Sequence, residues 1–323
     1  MPKRPGVVVH RPGLFTTVQD LGRLGYQRYG VSVSGAMDRT GFTIGNRLVG
    51  NPDGAAGLEV TLQGPELELI RETLLAITGA DLSPTLNGKT LPMWTAVAAS
   101  SGDILRFGRR RQGSRAYVCF SGGLDVPVIF GSRSTDVRAG IGGLGSRPLG
   151  RGDQLHFGRM PHTLRRSALR QFPVEARPLY PVCPALRIIR GPQAEWFSFG
   201  ALRTFLASRY VVSPDSNRMG YRLGGTPVPY RRSHEMISDA TAAGAIQIPA
   251  DQQPILLMAD CQTMGGYPKI ASVITADMAQ AGQLAPGDEM TFLLTTVEEA
   301  VLLCRSEREK LDRLLPPILT RGD

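Results

Sequence analysis

Lysine is scarce in this 323-residue chain: Lys3, Lys89, Lys269 and Lys310 stand against thirty-three arginines. Histidine is as rare, with His156 reading as part of a strand and His162 as part of a connector, settings that support a Ser-His-Asp hydrolase poorly. The cysteines Cys119, Cys183, Cys261 and Cys304 form no CxxC and have no nearby histidine, so no metal site is expected and isolated, reduced thiols fit a cytosol. No segment approaches the roughly 18 uninterrupted apolar residues of a membrane span. The opening "MPKRPGVVVHRPG" carries charge but no apolar core of a signal peptide. A cytoplasmic protein without a membrane partner is the expectation. The net charge of +9 is scattered, with short clusters only at Arg109–Arg111, Arg165–Arg166 and Arg231–Arg232. None lies beside a recognition-helix pattern or stacking aromatics, so no nucleic-acid partner is expected, while anionic substrates remain compatible.

What is abundant is glycine, with 38 residues, and proline, with 24, a composition of tight turns that favours a β-rich fold. The length predicts two domains. Three segments repeat one device, "GDILRF" from Gly102, "GDQLHF" from Gly152 and "GDEMTF" from Gly287, each a turn feeding a half-buried strand. Further short strands are predicted at "GVVVH", "LEVTL", "LELI", "LLAITG", "AYVCFSGGL", "LRIIRG", "GAIQIP" and "PILLMAD". Helices are predicted over Met37–Val49, Ala194–Ala207, Ile274–Ala281 and Thr296–Leu314, the last capped by Thr296. Between Pro161 and Pro184 prolines and arginines break the pattern, which places a first β-barrel domain over 1–160, a linker over 161–184 and a second over 185–323.

Two strings mimic nucleotide sites. "GIGGLG" at 140–145 satisfies G-x-G-x-x-G, but "SRPLGRGD" follows it and no helix can open there to meet a pyrophosphate. "NGKT" at 87–90 lacks the first P-loop glycine, and Asn-Gly between "PTL" and "KTL" is a two-residue hairpin signal.

Polar residues gather in four glycine-rich stretches. Gln19, Asp20, Arg23, Ser34 and Asp38 can converge as a site; equally, Asp20 can cap a turn beside Arg23 and Asp38 can cap the following helix. "GSRST" sets Arg133, Ser134 and Thr135 on a turn suited to an anionic or amide oxygen, or simply to a turn. "DSNRMGYRLGG" brings Arg218, Tyr221 and Arg222 together, against the reading of an Asx turn with solvated arginines. "DCQTMGGYPKI" sets Gln262, Thr263, Gly265, Gly266 and Tyr267 around Lys269, which once buried can act as a base or hold a carboxylate or developing oxyanion.

The segments "VQDLGRLGYQRYGVSVSGAMD", "GNRLVGN" with "LEVTLQGPEL", "ITGADL", "GSRST", "RPLGRGD", "RMGYRLGG", "GAIQIP" and "QTMGGYPKI" together resemble the biotin-dependent carboxyltransferase-like family, in order from Gly6 to Phe292. That family includes the C subunit of 5-oxoprolinase, allophanate hydrolase subunit 2, the carboxyltransferase region of urea carboxylase and the kinase-inhibitor antagonist of spore formers. The resemblance implies a mainly β fold of two cyclophilin-like β-barrels with a few helices. It also implies a smaller related partner subunit, with the active site in a cleft that the partner completes. For a free-standing chain it implies one part of a three-subunit, ATP-dependent 5-oxoprolinase that opens 5-oxo-L-proline to L-glutamate, inactive alone, with the ATP site unassigned. On that reading Lys269 and Asp20 are catalytic candidates. Arg133, Arg218 and Arg222 bind a carboxylate or phosphorylated intermediate, while Gln262, Thr263 and the amides of Gly265 and Gly266 orient the lactam. Arg23, Ser134, Thr135, Tyr221 and Tyr267 complete the substrate-binding set, and no metal is implied. The alternatives are a carboxyltransferase acting on urea or another amide, with biotin carried on another polypeptide because no lysine here follows a methionine, and a non-catalytic regulator that binds a partner subunit.

Overall fold

The computed structural model describes residues 4–159, 170–230 and 236–317. The clusters Arg165–Arg166 and Arg231–Arg232, His162 and the first part of the expected linker lie outside the described residues. The chain forms two compact units, one of Met1–Arg23, Ser34–Pro178 and Lys310–Asp323, the other of Leu24–Val33 and Leu179–Glu309. Among the described residues, no helix is long and apolar enough to cross a membrane.

The first unit contains β1 (Val7–Arg11), β2 (Phe15–Gln19), α1 (Arg39–Leu48), β3 (Gly57–Thr61), β4 (Glu66–Leu69), β5 (Thr73–Asp81) and β6 (Thr85–Leu86). It continues with β7 (Lys89–Thr90), β8 (Ala96–Ala99), β9 (Ile104–Arg106), β10 (Gln112–Phe120) and β11 (Gln154–Leu155). A six-stranded sheet runs β11-β1-β4-β9-β6-β7 and a five-stranded one β2-β3-β10-β5-β8. Both feed one core: Val7, Val9, Leu67 and Leu105 of the first sheet pack with Leu58, Val60, Ile77 and Val118 of the second. Strand β1 alternates buried and half-buried residues as a sheet with one core face should, whereas β5 and β10 are buried almost throughout because α1 covers their other face. The helix comes close there: a Cβ on Gly45 would stand 2.9 Å from both Cys119 Sγ and Thr78 Oγ1. The Asn-Gly hairpin forms as predicted, with Asn87 at φ 52° and Gly88 at φ 78° joining β6 to β7. The glycines of "GIGGLG" open no helix; they let the backbone lie against the "GSRST" segment, where a Cβ on Gly142 or Gly143 would overlap Ser134 O or Thr135 Oγ1.

The second unit contains β12 (Ala185–Arg190), α2 (Phe199–Ala207), β13 (Tyr210–Val212), β14 (Gly220–Gly225), β15 (Asp239–Ala240), β16 (Ala245–Gln247) and β17 (Ile255–Leu257). After these come β18 (Met264–Gly265), β19 (Lys269–Val273), α3 (Met278–Ala281), β20 (Glu289–Leu294) and α4 (Val297–Leu314), whose residues from Lys310 onward belong to the first unit. Seven strands close into a barrel, β12-β19-β16-β17-β14-β13-β20, sealed by a parallel pairing of β12 with β20. Leu186, Ile188, Tyr210, Tyr221, Leu223, Ile246, Leu256 and Phe292 are buried in this unit, and Phe205 of α2 stacks on Phe292 with ring centroids 4.8 Å apart. The helix expected over Ala194–Ala207 is broken at Phe197, and α2 starts afresh where Ser198 Oγ accepts the Ala201 N–H. Thr296 and Glu299 form a reciprocal capping box at the start of α4, the Glu299 N–H bonding Thr296 Oγ1 at 3.1 Å and the Thr296 N–H bonding Glu299 Oε2 at 3.3 Å.

The repeated Gly-Asp device is one turn made three times. Gly102, Gly152 and Gly287 all take φ between 86° and 89°, and their N–H groups bond Leu69 O, Val9 O and Val212 O on the neighbouring strands. The aspartates that follow accept the N–H three residues back, Asp103 from Ser100, Asp153 from Gly150 and Asp288 from Ala285, at 2.7, 2.7 and 2.9 Å. Each turn thus lays its strand, β9, β11 or β20, beside an antiparallel partner.

Arg47 of α1 is fully buried, with Nε and Nη2 on Asp53 at 2.6 and 2.9 Å and Nη1 on Asp312 and Leu315 O, both at 2.7 Å. These bonds fasten the last turn of α4 within the first unit. Arg47→Met is expected to lower stability by roughly 3 kcal/mol in denaturant unfolding, because it strips two carboxylates of a buried partner. The half-exposed Asp312→Asn should lose about 1 kcal/mol or less.

Candidate functional site

The sequence-predicted residues fall into two clusters, one in each unit. In the first, Asp20 follows directly on β2 and is buried. Its Oδ1 accepts from Gly22 N and Ser132 Oγ, each at 2.7 Å, and from Ser134 Oγ; Oδ2 accepts from Arg133 N at 2.6 Å. Four donors hold the carboxylate, three on Oδ1 and one on Oδ2, so Asp20 fastens the "GSRST" loop to the end of β2. Arg23 reinforces the join by donating to Ser134 O. Thr135 Oγ1 donates to Val18 O at 2.9 Å, and Ser34 Oγ to Thr135 O at 3.2 Å. Arg133 spends its backbone N–H on Asp20 and its Nε on Val126 O at 3.0 Å. Gln19 is held by Thr17 Oγ1 and Thr135 O, both at 3.0 Å. Asp38 caps α1, accepting the Gly41 N–H at 2.8 Å. These are anchoring geometries.

A buried network behind them carried no sequence signal beyond one acidic residue in the apolar run "GLEVT". Glu59 Oε2 accepts from Met37 N at 2.8 Å and Tyr117 Oη at 3.0 Å, and Tyr117 Oη accepts from Asp38 N at 2.7 Å. Burial, with Glu59 and Asp38 nearby, pushes the Tyr117 phenol well up, so it stays protonated and serves as a hydrogen-bond relay.

The second cluster surrounds Lys269, the first residue of β19, only 4% exposed. Its Nζ donates to Asp239 Oδ2 at 2.6 Å and to Ala240 O at 2.7 Å. The small β15–β18 ladder presents both partners by pairing Asp239 with Gly265. Gln193 braces the lysine, its Oε1 accepting the Lys269 N–H at 3.1 Å and its Nε2 reaching Asp239 Oδ2 at 3.4 Å. The Lys269 ammonium holds the Asp239 carboxyl below its ordinary value of 3.8. The Asp239 carboxylate is therefore ionised near neutral pH and lies against the Lys269 side chain as an ion-pair partner. Directly across the barrel wall from Lys269 is Gln247 of β16, at a register shift in the ladder. Gln262 completes the group: the point a Cβ on Gly265 would occupy lies 2.6 Å from Gln247 Nε2 and 3.5 Å from Gln262 Nε2. Two side-chain amides thus approach a glycine that leaves them room, on the short ladder whose Asp239 and Ala240 hold the Lys269 ammonium. Asp239, Gln193 and Gln247 were missed by sequence reasoning; Asp239 stands in a stretch without a glycine-loop signal, Gln193 follows the Gly-Pro turn that ends a strand motif, and Gln247 was hidden in another strand motif.

The remaining candidates make other contacts. Arg218 forks onto Asp260 with bonds of 2.8 and 2.9 Å, a buried bidentate pair that spends the guanidinium inside the protein. Tyr221 points inward from β14 as a core residue, its hydroxyl 3.3 Å from Leu284 O, and its neighbour Arg222 is exposed on the other face. Tyr267 is exposed, and Thr263 offers its carbonyl to Thr241 N at 3.0 Å. Burial pushes the Cys119 thiol up, and the Cys261 thiol up to about 12, so neither is a thiolate nucleophile. No cluster of metal-ligating side chains occurs among the described residues.

Residues 29–294 match the family described as "Carboxyltransferase domain, subdomain A and B", and the chain belongs to it. Among proteins, it is similar to the 5-oxoprolinase C subunit of Escherichia coli K12, 36% identical over 94% of this chain and 96% of that one. It is likewise similar to the 5-oxoprolinase C subunit of Haemophilus influenzae, 37% identical over 92% and 94%. Among solved structures it resembles the K. lactis urea amidolyase, with a TM-score of 0.91 and 31% identity over the whole of this chain. The chain spans about a fifth, 21%, of that larger enzyme.

Removing the Asp20 carboxylate leaves two hydroxyls and two backbone N–H groups without their acceptor. Asp20→Ala should therefore destabilise the protein by roughly 2–4 kcal/mol in denaturant unfolding, and Asp20→Asn, which keeps one acceptor oxygen, by less. For the Lys269–Asp239 pair, the folded-state value of Asp239 is depressed, so its stabilisation is present in full above the ordinary 3.8 and is lost as pH falls through the lowered value. The stability difference between the native protein and Asp239→Asn should accordingly be constant near neutral pH and shrink in acid.

Proposed function

We propose that the chain is the C subunit of an ATP-dependent 5-oxoprolinase, a lactam hydrolase that opens 5-oxo-L-proline to L-glutamate in the cytoplasm and is inactive without its partner subunits. The observation that carries this reading is similarity over nearly the whole length to two proteins named as the C subunit of 5-oxoprolinase. The Lys269 cluster supports it chemically. A lactam carbonyl gains negative charge on oxygen as its carbon is attacked, before the ring C–N bond breaks, and a fixed ammonium with neutral amide donors stabilises that charge where it develops. Asp239 and Gln193 position the ammonium, and Gln262 helps orient the carbonyl. Substrate binding by Arg133, Arg218 and Arg222 belongs to this reading only in a reduced form: Arg222 is the exposed member, whereas Arg218 is spent on Asp260. The partners are a smaller related chain, like the B subunit of 5-oxoprolinase, and a third chain like its A subunit; ATP is used by the complex.

A second reading, a carboxyltransferase acting on urea or another small amide, is favoured by the likeness to the K. lactis urea amidolyase. Biotin would then arrive on a separate polypeptide, and the same donors would hold the amide carbonyl.

Co-expression with the genomic neighbours, followed by an assay of ATP-dependent glutamate release from 5-oxoproline with and without avidin, separates the two. Release untouched by avidin is expected; avidin-blocked bicarbonate consumption would establish the second reading instead. In the active complex, Lys269→Met should lower kcat by about 100-fold or more, the loss typical of one oxyanion donor. Unaltered turnover removes Lys269 from the mechanism.

A further inference from the structure

Gln247 is 1% exposed, and its Nε2 has no hydrogen-bond partner among the described residues. An amide –NH2 buried without an acceptor destabilises a fold, so a protein that keeps one there either tolerates a defect or holds the donor ready for a ligand. Its position decides between these. Gln247 is the cross-strand neighbour of Lys269, and residues directly opposite one another in an antiparallel ladder present their side chains on the same face. The register shift at Gln247 re-aims its side chain relative to the regular pleat, a device common beside binding sites. The amide approaches Gly265, where any Cβ would stand 2.6 Å from Nε2 and 3.1 Å from Thr241 Cγ2. The backbone of Gly265 does not lie in the left-handed region, so the absence of a side chain here serves space and not conformation. The amide of Gln262 lies on the same spot, and two of the three Lys269 ammonium protons are already committed to Asp239 and Ala240. What the cluster offers a ligand is donors, which select an oxygen that can only accept.

We propose that the side-chain amide of Gln247 donates to the carbonyl oxygen of the small lactam or amide held beside Lys269, making it a specificity-determining residue of that site. The inference rests on the reading that the Lys269 cluster holds the substrate. Gln247→Met preserves length and removes both donor and acceptor. In the co-expressed complex, with 5-oxo-L-proline as the probe, the variant should show kcat/KM lowered by about 10-fold or more, while its melting temperature stays equal to or above that of the native chain, because an unpaired buried donor has gone. Gly265→Ala leaves Gln247 in place but drives its amide off the shared spot, and should lower kcat/KM in the same direction; it decides the matter if Gln247→Met fails to assemble. A Gln247→Met complex that melts lower yet keeps native kcat/KM assigns the amide to packing and overturns the proposal. Loss of activity in Lys269→Met with none in Gln247→Met and Gly265→Ala overturns the Gln247 assignment alone. Unaltered turnover in all three variants overturns the reading of the site itself.

Discussion

A glycine held at positive φ, followed by an aspartate that accepts the N–H three residues back, is the constraint on which both units depend. The turn recurs at Gly102, Gly152 and Gly287, and each copy bonds the chain to the strand it will pair with. The copy at Gly287 matters most for architecture, because it delivers β20, and β20 closes the second unit's barrel by pairing with β12 on one side and β13 on the other. Only glycine takes that φ without steric strain, and a short acidic side chain is what can fold back to hold the turn.

Three of the arginines act as internal fasteners. Arg47 binds Asp53 and Asp312, Arg187 grips Asp277 and Arg218 forks onto Asp260. A guanidinium suits this work because its planar fork satisfies both oxygens of a carboxylate at once and is never deprotonated. Lys269 is built in differently: a compact cation with a carboxylate, a backbone carbonyl and side-chain amides around it. Its pairing with Asp239 fixes the charge in place without neutralising the donors beside it, the electrostatic arrangement that a developing oxyanion requires.

The fold was largely legible in the sequence, since turn chemistry and hydrophobic alternation are local. The Asn-Gly hairpin, the three Gly-Asp turns, the cap at Thr296 and the strands around them form as read. The helix over Ala194–Ala207 was only partly legible, because Ser198 offers a cap that restarts it after Phe197. The candidate site was legible in one place, the loop leading to Lys269, where a rare residue sits among glycines.

Sequence alone determined the turns, membership of a β-rich fold and the family resemblance, because each is written in neighbouring residues. Only tertiary structure decided what the polar residues do. Asp20 and Ser134 lie 114 positions apart along the chain, and only the folded loop brings the serine hydroxyl to the carboxylate and makes it an anchor. Asp239 meets Lys269 across a separation of 30 residues, and Gln247 faces it through strand register. Hydrogen bonds between distant segments leave no period or motif behind, so the difference between a fastener and a donor kept for a ligand exists only in three dimensions.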